Sequence, residues 1–212
     1  MRIAILLYPE FTTLDAVGPY EVLSRIPGAE VVLTAAERGP VRNDLGSLAI
    51  TADAALDEVD SADLLLVPGG PGTEAQLTNE ALLDWLRRVD ATTAWTTSVC
   101  SGSLLLGAAG LLRGRRATSH WGVLDRLPAY GAEPTGTDRV VIDGKYAVAA
   151  GVSAGIDLAL TLAGRISGDT TAQAIQLLIE YDPQPPYASG SLATASPEAV
   201  EAVNGLTLGR AR

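Results

Sequence analysis

Cys100 is the only cysteine in the 212-residue chain and His120 the only histidine, so the groups able to do nucleophilic chemistry are few. The cysteine stands in Ser98-Val99-Cys100-Ser101-Gly102, after a run of strand-forming residues and before a stretch rich in Leu and Ala. A strand turning sharply into a helix at such a residue makes a nucleophile elbow, here with sulfur where serine is more usual. Ser101, Gly102 and Ser103 are small enough for that turn. At a helix N-terminus, unpaired N–H groups and the positive end of the dipole favour the thiolate, so a lowered thiol pKa is expected. A free cysteine is otherwise a small buried hydrophobe. The strand-turn-helix context is what argues for catalysis.

Three further features fall at the same place. Pro68-Gly69-Gly70-Pro71-Gly72 ends another apolar run. In a parallel sheet its loop lies at the C-terminal edge with Cys100, where open α/β sheets bind ligands. Its backbone N–H groups can stabilise developing negative charge beside a nucleophile, although such a segment is also an ordinary strand-ending turn. It carries neither phosphate-loop pattern. Asp15 follows the first apolar run and should reach the same edge, where a carboxylate can relay protons. Asp after Thr-Leu ahead of a helical stretch also reads as an N-cap. His120, in Thr118-Ser119-His120-Trp121, could orient or deprotonate the thiol, but a lone His beside Trp is more often packed or hydrogen-bonded in the core.

The elements that must position these groups alternate along the chain. Residues 3–8, 29–35, 62–67 and 93–99 read as strands, the first and last of them buried on both faces. Helical patterns follow in the second half of 12–23, where Pro19 is placed near a first turn, and at 79–89, 101–112, 154–166 and 171–179. Residues 139–150 carry a hairpin signal built on Asp143-Gly144. Alternation at short spacing predicts an α/β fold with a mostly parallel sheet. From Asp182 the chain is rich in Pro, Ser and Ala. The expected organisation is one domain over 1–186, with 187–212 an arm of the same domain or a dimer contact, weakly helical near 198–203.

Composition narrows the function. With 47 % hydrophobic and 19 % charged residues, the chain has ample material for a core. A net charge of −10 argues against a nucleic-acid surface, an anionic membrane or strongly anionic substrates as partners. One cysteine excludes an intrachain disulfide, and the usual multi-Cys and multi-His metal sites are not available. No D-x-D-x-D-G calcium loop is present. Neither a secretory signal nor an apolar run long enough to span a membrane is seen, so a soluble cytoplasmic protein is expected.

Together these segments resemble the DJ-1/PfpI superfamily and, within it, the isonitrile (isocyanide) hydratase branch. The matching pieces are Leu14-Asp15-x-x-Gly18-Pro19-x-Glu21-Val22-Leu23, Pro68-Gly69-Gly70-Pro71-Gly72, Val99-Cys100-Ser101-Gly102 and Ala117-Thr118-Ser119-His120-Trp121. The stretch Gln173-Ala174-Ile175-Gln176-Leu177-x-Ile179-Glu180-Tyr181-Asp182-Pro183 looks like the same branch, so the resemblance runs over residues 2–186. It implies a single-domain, flavodoxin-like three-layer sandwich. It also implies a homodimer without a cofactor.

By that resemblance Cys100 is the nucleophile and Asp15 the acid–base group, where many relatives place Glu. Backbone N–H groups of Gly70 and Ser101 match oxyanion-hole positions. Ser101 departs from the Thr common in hydratases but keeps the hydroxyl. His120 matches a histidine whose role differs between branches. The implied reaction adds water to an isonitrile through a Cys100 thioimidate, giving an N-substituted formamide. Two other readings stand beside it. One is a hydrolase or glyoxalase acting on small carbonyls. The other is an amidase-like ligand-sensing domain, although such regulators continue into a basic helix-turn-helix module, which is not found before Arg212.

Overall fold

Strands covered on both faces must be apolar at nearly every position, and the computed structural model, which describes residues 1–208, uses the continuous apolar runs in that way. β1 (Arg2–Leu6) leads into α1 (Thr13–Leu23), followed by β2 (Glu30–Ala35). β3 (Gly39–Arg42) and β4 (Ala49–Ala52) pair antiparallel, and β5 (Ala54–Ala55) is a short edge strand. Next come β6 (Leu64–Val67), the one-turn α2 (Thr73–Gln76), α3 (Glu80–Asp90) and β7 (Trp95–Val99). α4 (Gly102–Ala108), β8 (Arg116–Ala117) and β9 (Glu133–Pro134) precede the hairpin of β10 (Val140–Asp143) and β11 (Tyr146–Ala149). α5 (Ala154–Ser167) and α6 (Asp169–Leu178) follow.

The seven-stranded sheet has the order β10-β11-β7-β6-β1-β2-β5. Every neighbouring pair is parallel except β10–β11. The crossover from β1 to β2 runs one way along the sheet, and those from β6 to β7 and β7 to β11 run the other. Crossovers of one hand then put α1 on one face and α3 and α4 on the opposite face. α5 packs on α1. The result is the flavodoxin-like three-layer sandwich, a single α/β domain. Its parallel register brings the C-terminal ends of β1, β6, β7 and β11 side by side.

Several local expectations change. α1 starts at Thr13, so Pro19 is its seventh residue and lies inside the helix rather than in the first turn. Having no N–H, Pro19 leaves the Asp15 carbonyl without a helical partner. The proline ring serves the crossing with α5: a Cβ on Gly155 would lie 2.9 Å from Pro19 Cγ and 3.1 Å from Val99 Cγ2. α4 stops at Ala108, short of residue 112, as Gly110 takes a left-handed φ of 81°. In the hairpin the turn residues are Gly144 and Lys145, because Asp143 still pairs with Tyr146. Gly144, at φ 63°, holds the first turn position, where a type II′ turn requires glycine.

The chain forms two compact units, Met1–Ile179 and Glu180–Arg212. The second spans the stretch that the sequence marks as rich in Pro, Ser and Ala. It contains α7 (Pro197–Leu208), longer than the weak helix expected there. Ser196 Oγ accepts from Ala199 N–H at 3.2 Å at its start.

Candidate active site

Cys100 lies between the end of β7 and the start of α4 with φ 59°, in the left-handed region that a non-glycine residue rarely occupies. Four hydrogen bonds hold it there. Its N–H donates to the carbonyls of Ala149 (3.2 Å) and Ala150 (2.9 Å), at the end of β11. Its carbonyl accepts from Ser103 Oγ (3.2 Å) and Ser119 Oγ (3.0 Å). Strain of this kind persists only where the surroundings over-determine the conformation. This strand-turn-helix geometry is consistent with the expected elbow. The glycine loop after β6 is packed directly on it: a Cβ on Gly69 would lie 2.5 Å from Ser101 N and 2.9 Å from Cys100 Cβ.

Cys100 is 7 % exposed. Burial, reinforced by the negative charge of Asp15, pushes its thiol up to about 12, against the opposing pull of the Ser101 and Val152 N–H groups. This reverses the lowered pKa expected from the helix dipole. α4 has only seven residues, and loss of hydration outweighs what so short a dipole offers.

Asp15 is fully buried. It is the third residue of α1, and Thr12 holds the N-cap position, so Asp15 is not the cap. Its Oδ2 accepts from Gly69 N–H at 2.9 Å, while Oδ1 finds no nitrogen or oxygen partner in the described protein. Burial raises its pKa from the ordinary 3.8 to about 7. The Gly69 N–H and the Cys100 thiol pull it down, and the Asp44 carboxylate pushes it up. Thiol and carboxyl are thus near neighbours sharing protons, and their titration belongs to the pair.

The other candidate groups are engaged within the protein. The Gly70 N–H, expected to face a reacting oxyanion, donates to Ser101 Oγ at 3.0 Å. The Ser101 N–H lies by the sulfur. His120 accepts at Nδ1 from Gly122 N–H, 3.1 Å away. Burial holds its pKa below the ordinary value, which favours the neutral imidazole. Among the described residues no hydrogen bond joins it to the thiol. A Cβ on Gly151 would meet His120 Cδ2 at 2.8 Å, and Trp121, 43 % exposed, lies beside the imidazole with ring centroids 5.2 Å apart.

Sequence reading missed the Val152 N–H, a backbone group with no side-chain signature. It also missed the hydroxyls of Tyr8 and Thr73, which flank recognised segments and line up behind Ser101. Among the described residues no cluster of three or more His, Cys, Asp or Glu could hold a metal ion, and no helix is long and apolar enough to cross a membrane.

A cysteine at an elbow, with a buried acid against it at the carboxyl edge of a doubly covered parallel sheet, marks a class of thiol-bearing α/β proteins. The chain belongs to the DJ-1/PfpI family, which its residues 1–165 match. It is similar to the isonitrile hydratase of Pseudomonas putida, with 45 % identity over 200 residues, or 94 % of this chain and 86 % of that one. A THiJ/PfpI family protein from Pseudomonas syringae superposes with a TM-score of 0.93 at 40 % identity, covering 98 % of this chain and 86 % of that one. The HTH-type transcriptional regulator CdhR of Pseudomonas aeruginosa is 34 % identical over 174 residues. That match spans 79 % of this chain but only 51 % of the regulator.

Proposed function

We propose that this protein is an isonitrile hydratase, converting an isonitrile and water into an N-substituted formamide, with Cys100 as nucleophile and Asp15 as acid–base group. The observation that carries this reading is the buried Cys100–Asp15 pair, and the similarity to the Pseudomonas putida hydratase over nearly the whole chain supports it. The cycle starts with the pair holding one labile proton, on sulfur. Sγ bonds to the terminal isonitrile carbon while that proton passes through Asp15 to the same carbon. The product is a neutral thioimidate, S–CH=N–R, and Asp15 is again a carboxylate.

Asp15 then takes a proton from water as the oxygen bonds to the thioimidate carbon, and returns it to nitrogen. Collapse forms the carbonyl, breaks the C–S bond and sends the hydroxyl proton back to sulfur through Asp15. One group donating and then accepting is what this sequence needs. The Ser101 and Val152 N–H groups stabilise the sulfur as it becomes anionic. His120, which makes no hydrogen bond to the thiol among the described residues, is given no proton-transfer step.

No full oxyanion forms along this path. Thiol attack on a small carbonyl, the hydrolase or glyoxalase reading, does create one and calls for free N–H donors. The engagement of Gly70 N–H by Ser101 Oγ favours the isonitrile over that reading. A ligand-sensing domain would need neither turnover nor a covalent intermediate. The reading further takes the protein as a cytoplasmic homodimer without cofactor or nucleic-acid partner, residues 187–212 serving as an arm or dimer contact.

The test is covalent mass. Rapid-quench intact mass spectrometry with a simple alkyl isonitrile should show an adduct equal to the whole isonitrile, mapping to the Cys100 peptide. Formamide production without adduct, under conditions that trap thioimidates, would overturn the covalent route. Turnover of methylglyoxal in preference to isonitriles would overturn the substrate class.

A further inference from the structure

Ser101 Oγ stands at one end of a buried line of hydroxyls. It accepts from Gly70 N–H at 3.0 Å and lies 2.9 Å from Thr73 Oγ1. Thr73 Oγ1 lies 2.9 Å from the Tyr8 hydroxyl, which donates to the Pro68 carbonyl at 2.8 Å. Tyr8, Thr73 and Ser101 are all buried.

Each hydroxyl has one proton, so the direction of the line follows from its end. A carbonyl only accepts, so the Tyr8 proton is committed to Pro68. Burial keeps the phenol well above its ordinary value, and that proton stays in place at every working pH. Thr73 must then donate to Tyr8, and Ser101 to Thr73, which turns a Ser101 lone pair to Gly70. The competing acceptor for the Ser101 proton, the Gly70 carbonyl, is farther away at 3.4 Å.

The two ends of the line grip successive peptide planes. Tyr8 holds the oxygen of the Pro68–Gly69 peptide, and Ser101 holds the N–H of the next. A trans peptide is rigid, so fixing its oxygen fixes its N–H. The N–H of the first plane belongs to Gly69 and is the one that meets Asp15 Oδ2 at 2.9 Å.

We propose that Tyr8 and Thr73 are positioning residues of this active site, acting through the glycine loop to set how Gly69 N–H meets Asp15 and so how Asp15 faces Cys100. This rests on the roles proposed above for Asp15 and Cys100. The groups facing the Asp15 carboxyl are the Cys100 thiol, the Gly69 N–H, the Asp44 carboxylate and the Tyr8 phenol. A loosened Gly69 bond removes a contact that favours the charged carboxylate, so Asp15 should ionise at higher pH and the Cys100 thiol, relieved of part of that charge, at lower pH. Thr73→Val cuts the line with little change of volume, and Asp44 is the same in both proteins.

The experiment compares wild type, Thr73→Val, Thr73→Ser, Ser101→Ala and the Thr73→Val/Ser101→Ala double variant. It reads isonitrile turnover and, independently, the pH profile of Cys100 alkylation by iodoacetamide. Thr73→Val should lower kcat about tenfold with KM nearly unchanged, and shift the alkylation profile to lower pH, since the Asp15 charge that holds the thiol up is weakened. Thr73→Ser should restore both. In the Ser101→Ala background Thr73→Val should add almost nothing, since the line is already open. Tyr8→Phe, which keeps the ring, is a second cut should Thr73→Val fold poorly, and should shift the profile in the same direction. An unmoved profile in a folded variant, or full additivity of the two substitutions, overturns the proposal. Absence of isonitrile turnover with a shifted alkylation profile refutes the hydratase reading and leaves the positioning role standing.

Discussion

Asp15 should make the folded protein less stable as pH rises, and Asp15→Asn should remove that dependence. Its carboxyl goes from 3.8 when unfolded to about 7 when buried. Between those values the folded chain holds a proton that the unfolded chain has released, so stability is lost as pH rises through the window. At about 1.4 kcal/mol per pH unit the ceiling is ~4 kcal/mol by pH 8. Asparagine can still accept the Gly69 N–H bond and carries no charge to desolvate. Urea unfolding of both proteins at pH 5, 6.5 and 8 would show the wild type losing stability relative to the variant at each step. At pH 8 Asp15→Asn should be the more stable by about 2–4 kcal/mol, while its turnover falls by roughly 10²-fold or more. Parallel pH dependences, or a variant less stable at pH 8, would refute the reasoning that the buried carboxyl is held at a cost to the fold.

Cys100→Ala or Cys100→Ser should abolish turnover and adduct formation with the circular dichroism spectrum unchanged, because the thiol contributes little packing; retained turnover contradicts the nucleophile assignment. Gly155→Ala should cost about 1–3 kcal/mol in urea unfolding, since its methyl would enter the contact with Pro19 and Val99. Unchanged stability there would show that α1 and α5 have room to part.

The strands that build the sheet are legible because burial on two faces leaves them apolar at nearly every position, as in Leu64–Val67. The elbow is legible too, as small residues after a strand leave few alternatives to a tight turn. β3, β4, β8 and β9 are not, since short, partly exposed strands carry neither a continuous apolar run nor clean alternation. Asp15 reads equally as a cap or a buried acid, and only tertiary packing separates them. The thiol divides in the same way: the helix dipole is visible in sequence, whereas desolvation depends on what folds over the sulfur. Val152 acts through its backbone N–H, and its side-chain identity announces nothing.

The walls around Cys100 come from widely separated parts of the chain, and synthesis delivers them in order. Asp15 and the glycine loop are already made when Cys100 leaves the ribosome, but Ala149, Ala150 and Val152 are not. Until β11 exists, β7 has an open edge on that side, exposed to foreign strands. The Cys100 N–H then lacks the two carbonyls that hold its left-handed conformation. On a nascent chain the sulfur is therefore an ordinary solvated thiol, open to labels and oxidants that the finished protein resists. Its protection arrives with the β7–β11 pairing, so the rate at which the thiol escapes a fast alkylating agent during synthesis is a clock for closure of that half of the sheet.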